Sequence, residues 1–312
     1  MRIKRFHHVS FDVTDLDATA RFASDFGLIE AVRSDSQLFM RTSGGDAFAY
    51  VAHKAEHAAF NGFAFEVESE SDLAEAVACH GASPIRDLGS PGRGKAVTLT
   101  DPNGFAVDLV YGVARRKADE FPAPLVQNSC VRYQRLGRFE PKRKLGPAQL
   151  ARLGHIGIFV PSFAQSFPWY KGVLGLIPSE IYHVPGKPEA QIISFMRLDR
   201  GEERVDHHTI ALMQSQSGET ACHHISFEVQ DFEAQFVAHR YLEDKGYELV
   251  WGVGRHPHGS HVFDVWRDPD GNRFETFSDT DLLVASDGTR IWDLHDVEMD
   301  IWSSDPPDRY FA

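Results

Sequence analysis

Residues 153–176 read LGHIGIFVPSFAQSFPWYKGVLGL, and residues 6–28 read FHHVSFDVTDLDATARFASDFGL. Both stretches run from an alternating strand, through a helix that carries aromatic residues, to a Gly-Leu pair, and His8 matches His155. Similarity of one part of a chain to another indicates an internal repeat. The sequence therefore predicts two similar halves.

Two further pairs of stretches support the repeat. TLTDPNGFAVDLVYG at 98–112 matches VWRDPDGNRFETFSD at 265–279, and each is typical of a hairpin around an Asp-Pro-x-Gly turn. NGFAFEVESESDL at 61–73 matches CHHISFEVQDFEAQ at 222–235, and each indicates a strand that runs into a helix. Each half thus divides into two units of one strand, one helix and several strands. The predicted helices span roughly 16–26, 71–80, 163–173 and 231–245.

The repeat also sets the predicted domain organisation. We expect one domain over 1–115, a polar and proline-containing linker over 116–150, a second domain over 151–285 and a tail over 286–312. A length of 312 residues agrees with two domains of ordinary size. The aromatic residues of the tail indicate that it packs onto a surface, either of this chain or of a neighbouring subunit.

Composition excludes several classes of protein. The formal net charge is −13, which argues against a nucleic-acid-binding protein, since these present basic patches. No apolar stretch is long enough for a membrane helix, and the N-terminus lacks the apolar segment of a signal peptide. Three cysteines give no disulfide framework, so we expect a cytoplasmic protein. Eleven of the 16 histidines follow residue 150, which indicates a functional site in the second half.

Comparison of the two halves predicts a metal site. His155, His224 and Glu275 lie on three separate predicted strands, and the matching residues of the first half are His8, Gly62 and Asp108. Two imidazoles and one carboxylate that converge in a cup form the face that holds Fe(II) and leaves positions open for substrate and oxygen. The first half lacks the middle ligand, so we expect it to be a metal-free copy. Neighbouring strand residues face opposite ways, so only one of His223 and His224 faces the cup.

The pattern resembles the type I extradiol catechol dioxygenases of the vicinal oxygen chelate superfamily. The stretches that carry the resemblance are GHIGIFV around His155, DHHTIAL at 206–212, CHHISFEV at 222–229 and GVGRHPHGSHVFDVWRDPDGNRFE at 252–275. The resemblance implies an α+β fold of four βαβββ modules, paired into two similar domains that are each an open, cup-shaped mixed barrel. It implies metal ligands at His155, His224 and Glu275.

The resemblance also implies further site residues. His208, the second histidine of His-His-Thr, matches the acid–base histidine of the family, and His256 matches a histidine that hydrogen-bonds the substrate oxygen. His258 and His261 share the loop of His256 and have no assigned role. The chain departs from the family at Val265, where many relatives carry a tyrosine beside the metal. The loss of that hydroxyl bears on substrate preference or rate.

The implied function is ring cleavage of an aromatic vicinal diol by O2 at Fe(II), with Mn(II) suiting the same ligands. A small aromatic diol and O2 are the expected partners, and the chain is expected to form a homo-oligomer. The alternatives are a glyoxalase-type isomerase of the same superfamily and a metal-free protein that binds an aromatic compound or an antibiotic. A ketoacid-dependent aromatic dioxygenase is disfavoured, because its C-terminal helix signature is missing.

Overall fold

Two β-sheets, one from each half of the sequence, form the framework of the computed structural model, which describes residues 1–138, 145–302 and 306–311. Within these residues the first sheet has eight strands, in the order β2-β3-β4-β1-β5-β8-β7-β6. They are β1 (Ile3–Val13), β2 (Ile29–Arg33), β3 (Gln37–Arg41), β4 (Tyr50–Lys54), β5 (Ala59–Val67), β6 (Arg86–Asp87), β7 (Lys95–Thr100) and β8 (Ala106–Tyr111).

The second sheet has nine strands within the described residues, in the order β15-β16-β17-β14-β9-β13-β11-β10-β19, and β12 pairs separately with β18. These strands are β9 (Leu150–Val160), β10 (Ile177–Val184), β11 (Lys187–Arg197), β12 (Val205–Asp206), β13 (Ile210–Gln214), β14 (Ala221–Val229), β15 (Glu248–Arg255), β16 (Val262–Arg267), β17 (Arg273–Ser278), β18 (Leu282–Leu283) and β19 (Arg290–Asp293). The sheet therefore carries every predicted metal ligand.

The described residues form four α-helices, and each follows the first strand of a module. They are α1 (Leu16–Phe26), α2 (Glu70–His80), α3 (Phe163–Gly172) and α4 (Phe232–Lys245), so the predicted helices are confirmed to within one residue at each end. Polar caps define their starts: the carboxylate of Asp15 accepts from the first turn of α1, and that of Asp231 accepts from Ala234 in α4.

The two sheets repeat one pairing pattern. In the first, β1 is parallel to β4 and antiparallel to β5, and β5 is parallel to β8. In the second, β9 is parallel to β13 and antiparallel to β14, and β14 is parallel to β17. This agreement confirms the predicted α+β fold of two similar halves built from four βαβββ modules.

The two Asp-Pro-x-Gly turns have the same internal hydrogen bonds. Oδ1 of Asp268 accepts from the backbone N–H of Asp270 at 3.0 Å and of Asn272 at 2.7 Å. Oδ1 of Asp101 likewise accepts from the N–H of Asn103 at 2.9 Å and of Phe105 at 2.8 Å. An aspartate that binds its own backbone in this way fixes a tight turn. In the second half the turn sets the register of β17 and therefore the position of Glu275.

The halves pack against each other across one continuous core. The ring of Phe274 on β17 lies 5.1 Å from that of Phe22 and 5.4 Å from that of Phe26, both on α1. In the opposite direction, the hydroxyl of Tyr170 on α3 donates to Asp101 of the first half at 2.8 Å. Each half thus presents a helix to the other, and the first half supports the strand that carries Glu275.

Two segments lie outside the two large sheets: the residues between β8 and β9, and most of the C-terminal tail. The described residues between β8 and β9 contain no helix and only an isolated bridge between Ser129 and Arg132, whereas residues 139–144 of the predicted linker lie outside the described part. The tail packs on its own chain, where β19 pairs with β10. Among the described residues, no helix is both long enough and apolar enough to span a membrane.

Candidate metal centre

The three predicted ligands lie on three adjacent strands of the second sheet. His155 is on β9, His224 on β14 and Glu275 on β17. One ligand atom of each lies within 4.8 Å of the others, and the three side chains are between 1% and 5% exposed. The structure therefore brings this set together in one buried cluster.

Strand register explains how these side chains reach one point. In the β9–β14 pair, His224 lies opposite Gly157 and Ser226 lies opposite His155. In the β14–β17 pair, Ser226 also lies opposite Glu275. A Cβ atom on Gly157 would lie 2.5 Å from Cε1 of His224. The glycine two residues after His155 therefore leaves the space that the His224 ring fills.

The charges in this cluster favour a bound cation. Burial lowers the pKa of His224 to about 3, although the Glu275 carboxylate acts in the opposite direction. Burial by itself would raise the pKa of Glu275, but His224 and His155 outweigh it and hold that pKa below its ordinary value. At neutral pH the site thus offers an uncharged imidazole and an ionised carboxylate, which are the forms that bind a metal.

One buried nitrogen gives a direct test of whether the residues fit a metal. Nε2 of His155 lies 3.1 Å from Oε1 of Glu275, yet it makes no hydrogen bond of acceptable geometry with any described residue. A buried polar atom without such a partner costs free energy. A cation between the nitrogen and the carboxylate would satisfy both atoms, so the donor set fits a divalent metal.

Ser226 is a site residue that the sequence analysis missed. Its hydroxyl donates to Oε1 of Glu275 at 2.7 Å, and the residue is fully buried. It stands two residues after His224 on the same strand, and therefore on the same face. That spacing could have identified Ser226 from the sequence. A residue that lies opposite both His155 and Glu275 in the strand register can contact either of them.

A second group of histidines borders the predicted ligands. The ring of His208 lies 4.3 Å from that of His155, and the ring of His261 lies 5.4 Å from it. One nitrogen from each of these three residues lies within 4.8 Å of the others. Burial lowers the pKa of His208 and of His261 well below the ordinary value. His261, which the sequence left without a role, is therefore part of the centre.

His256 and His258 lie in different surroundings although they are two residues apart. The Nδ1 atom of His256 lies 2.7 Å from the carbonyl oxygen of Met299, and its ring stacks on Phe263 at 4.2 Å. The ring of His258 stacks on Trp292 at 4.4 Å, and its Nδ1 contacts the hydroxyl of Tyr182 at 2.6 Å. Both line the same cavity.

The matching positions of the first half do not form such a centre. Gly62 has φ +150°, and a Cβ atom there would overlap the carbonyl oxygen of Ala106. Asp108 instead accepts from Thr98 at 2.5 Å and from Arg86 at 2.9 Å. Within the described residues, no potential metal-binding group of His, Cys, Asp and Glu includes His8. Steric crowding at Gly62 explains why this half has no middle ligand.

A cavity of about 810 Å³ opens onto the cluster. The residues that line it include His155, His224, Glu275, His208, His256 and His261. Apolar side chains from β9, β10, β11, β13 and the tail form its walls. The volume lies within the range found for small-molecule sites. The cavity can therefore hold a small organic molecule next to the metal-binding atoms of His155, His224 and Glu275.

Val265 lies next to the centre in an apolar environment. It pairs with Glu275 in the β16–β17 register and is fully buried, in a cluster that includes Trp251, Phe263 and Tyr310. The tail supplies Tyr310, whose ring lies 4.7 Å from that of Trp251 and which lines the cavity. Val265, the strand neighbour of Glu275, thus packs among aromatic residues.

Comparisons with known proteins find relatives of this sequence. Residues 152–276 match the family model described as Glyoxalase/Bleomycin resistance protein/Dioxygenase superfamily. The chain is 26% identical to Metapyrocatechase 2 of Cupriavidus necator, over 98% of this chain and 90% of that protein.

Two solved structures show the same fold. The homoprotocatechuate 2,3-dioxygenase of Brevibacterium fuscum, in an anaerobic complex with 3,4-dihydroxyphenylacetate, has a TM-score of 0.78 and 19% identity, over 100% of this chain and 92% of that chain. The Mn(II)-bound glyoxalase of Novosphingobium aromaticivorans has a TM-score of 0.79 and 19% identity, over 99% of this chain and 94% of that chain.

Proposed function

We propose that this chain, whose residues 152–276 match the glyoxalase/bleomycin resistance protein/dioxygenase superfamily model, is an extradiol dioxygenase acting on an aromatic vicinal diol. The reaction breaks a ring carbon–carbon bond beside the diol, and both atoms of O2 enter the ring-opened semialdehyde or keto acid. The observation that carries the proposal is the convergence of His155, His224 and Glu275 in the wall of a cavity that His208 and His256 also line.

In this proposal His155, His224 and Glu275 hold Fe(II), and Mn(II) suits the same ligands. Two imidazole ligands and one carboxylate would leave a divalent ion with one net positive charge. When bound, the metal lowers the pKa of a coordinated phenol and brings diol and O2 together in a fixed orientation. Ser226 keeps the Glu275 carboxylate in place through its hydrogen bond of 2.7 Å.

His256 is suited to accept a hydrogen bond from the diol. Its Nδ1 lies 2.7 Å from the carbonyl oxygen of Met299, which can only accept, so Nδ1 carries the proton. Burial lowers the pKa of His256 below the ordinary value, which keeps the ring neutral and leaves a lone pair on Nε2. We propose that this atom binds the hydroxyl of the incoming diol.

His208 is the proposed acid–base residue on the other side of the cluster. Its Nδ1 lies 3.1 Å from Nδ1 of His207, so Nε2 remains for the reacting molecule. Its ring is 4% exposed and packs between His155 and Phe195. A buried imidazole in this position can hold a proton and return it to the substrate without competition from water.

The walls of the cavity favour a diol whose ring carries an uncharged substituent. The apolar lining residues include Phe159, Ile193, Phe195, Met213, Leu294 and Val297. Beyond the metal site, the carboxylates of Glu219, Glu298 and Asp308 also line the cavity, whereas Arg273 is the one lysine or arginine among the described lining residues. An anionic substituent would therefore meet more repulsion than attraction.

Metal analysis and oxygen uptake test the proposed function together. Protein purified without oxygen, or reconstituted with Fe(II), is expected to hold about one metal ion per chain. With a panel of catechols it is expected to consume O2 as a yellow ring-opened product appears. Metal binding without oxygen uptake on any diol would favour the isomerase, and no metal after reconstitution would favour the metal-free binding protein.

We also propose a cytoplasmic homo-oligomer. Three free cysteines suit a reducing compartment. Ile291 on the edge strand β19 is 57% exposed and Trp302 of the tail is 49% exposed, which supports association with a second copy. Light scattering on purified protein measures the mass directly, and a value near 35.0 kDa would contradict the oligomer.

A further inference from the structure

The chain contains three pairs of consecutive histidines that share one contact. In each pair, Nδ1 of the first ring faces Nδ1 of the second, at 2.8 Å in His7–His8, 3.1 Å in His207–His208 and 2.7 Å in His223–His224. The pairs differ in what lies at Nε2 of the first ring. This difference bears on the metal site, because His224 is one of the proposed ligands.

In the pair at β14, the partner of the first ring is the backbone of the tail. Nε2 of His223 lies 2.8 Å from the carbonyl oxygen of Tyr310. A carbonyl oxygen can only accept, so Nε2 of His223 carries a proton. A neutral imidazole has one such proton, and Nδ1 of His223 is therefore an acceptor. Nδ1 of His224, at 2.7 Å, must then be the donor.

We propose that the Tyr310 carbonyl, acting through His223, fixes His224 in the tautomer that offers the Nε2 lone pair to the metal. His223 is thus a positioning residue, and the segment 306–311 is part of the metal site. The inference rests on the proposed function only in taking His224 as a ligand. In a histidine that binds a metal, the N–H of the other ring nitrogen usually donates a hydrogen bond to a carbonyl or carboxylate. Here His223 lies between that N–H and the carbonyl of Tyr310.

The segment that supplies the carbonyl is held on several sides. The Tyr310 ring packs on His223 at 4.6 Å and on Trp251 at 4.7 Å. Nε of Arg309 donates to the carbonyl of Val250 at 2.6 Å, and the Arg309 carbonyl accepts from Arg267 at 3.2 Å. These contacts fix the position of the Tyr310 oxygen, so the tautomer of His224 does not depend on a mobile terminus.

The first half provides the matched comparison. Nε2 of His7 is buried and has no hydrogen-bond partner among the described residues, and His8 belongs to no potential metal-binding group there. The same side-chain contact is present in both halves, whereas among the described residues the backbone carbonyl is found only at the pair that contains a proposed ligand. The carbonyl is thus associated with the metal site and not with the histidine pair as such.

The tautomers can be measured directly. Long-range ¹H–¹⁵N spectra of metal-free protein labelled with ¹⁵N-histidine distinguish protonation at Nδ1 from protonation at Nε2, and His223→Phe and His224→Gln assign the signals. We expect His224 to be protonated at Nδ1 and His223 at Nε2. A spectrum with the His224 proton on Nε2 would overturn the inference, whatever the enzyme catalyses.

Metal affinity gives an independent test. Chelator competition with Fe(II) and with Mn(II), under anaerobic conditions, is expected to show a loss of about 10- to 100-fold for His223→Phe. His223→Asn can keep an acceptor near the position of Nδ1 and is expected to recover part of the loss. His7→Phe, the matched control, is expected to bind as the wild type does. Equal affinity of folded His223→Phe and wild type would contradict the role of His223.

The tail is tested by two further changes. Tyr310→Phe keeps the backbone carbonyl and is expected to retain wild-type affinity to within about threefold. A chain that ends at Pro307 lacks the carbonyl and is expected to lose affinity to the same extent as His223→Phe. Because both changes act on one contact, their combination should cost no more than either alone, and additive losses would overturn the inference.

The outcomes separate the two proposals. If the wild type binds metal but consumes no O2 with any diol, the proposed function fails and the affinities still decide the role of His223. If the wild type cleaves diols and the His223 and tail variants bind metal normally, the inference fails and the proposed function stands.

Discussion

The hydroxyl of Ser226 donates a hydrogen bond of 2.7 Å to Oε1 of Glu275, the same oxygen that lies 3.1 Å from Nε2 of His155. The serine thus limits the orientations that the carboxylate can take. It leaves Oε2 outside this contact, and it keeps Oε1 directed toward the histidine. A buried carboxylate with a fixed orientation is preorganised for metal binding.

Removal of that hydroxyl is predicted to weaken metal binding. Ser226→Ala is expected to lower the affinity for Fe(II) or Mn(II) about tenfold, as measured by anaerobic chelator competition. Thr276→Val is the control, because Thr276 is the neighbour of Glu275 and its buried hydroxyl makes no hydrogen bond among the described residues. A similar loss in both variants would point to a general packing defect and not to the serine contact.

Substitution of His208 is predicted to separate catalysis from metal binding. His208→Phe is expected to keep about one metal per chain and to lose roughly 10²- to 10⁴-fold in kcat, the usual contribution of a positioned acid–base group. Glu275→Ala, in contrast, is expected to lose the metal. Metal content by elemental analysis and oxygen uptake on one catechol distinguish the two. Loss of metal from His208→Phe would instead make His208 a ligand.

The lining of the cavity predicts a preference among diols. A catechol with an ethyl or phenyl substituent is expected to have a kcat/KM at least about tenfold above that of 3,4-dihydroxyphenylacetate. Glu298→Lys, at the cavity wall, is expected to narrow that difference because it removes a negative charge and adds a positive one. Faster turnover of the carboxylated diol by the wild type would show that the wall charges do not select the substrate.

Asp268 is predicted to make stability depend on pH. Burial raises the pKa of Asp268 to about 6, above its ordinary value near 3.8. The folded state therefore binds this proton more tightly than the unfolded state does. Its contribution to stability is fully present below about pH 4 and is lost as the pH rises through about 6, by roughly 2–3 kcal/mol in total.

The matched variant is Asp268→Asn, which keeps an acceptor for the backbone N–H groups of the turn. Relative to this variant, the free energy of unfolding of the wild type should fall between pH 4 and pH 7. Urea titrations of both proteins across this range provide the measurement. Parallel pH profiles for the two proteins would mean that Asp268 has an ordinary pKa in the folded state.

Much of the fold could be predicted because its signals are local or repeated. The helices follow the predicted strands at matching places in the repeat, and the strand pairing follows from the two similar halves. The convergence of His155, His224 and Glu275 was predictable for the same reason, since the repeat aligned three strands whose side chains alternate in a known way.

Other parts of the site depend on contacts between distant segments. The contact of Tyr310 with His223 joins residues 87 positions apart, and no local pattern marks either as a partner. His261 reaches the centre because the loop before β16 folds inward, which periodicity does not describe. Ser226 is an intermediate case. The sequence predicts that it lies on the same face of β14 as His224, but its hydrogen bond to Glu275 could be predicted only with knowledge of the strand register.

Gly62 prevents the first half from gaining, by a simple substitution, the histidine that the second half has at His224. Its positive φ and the overlap of any side chain with the Ala106 carbonyl mean that histidine cannot enter by a single substitution. A second metal centre would need a new path for the β5 backbone before the ligand itself could be gained. The first half instead contributes to the site through packing, because Phe22 and Phe26 on α1 contact Phe274, the residue before Glu275.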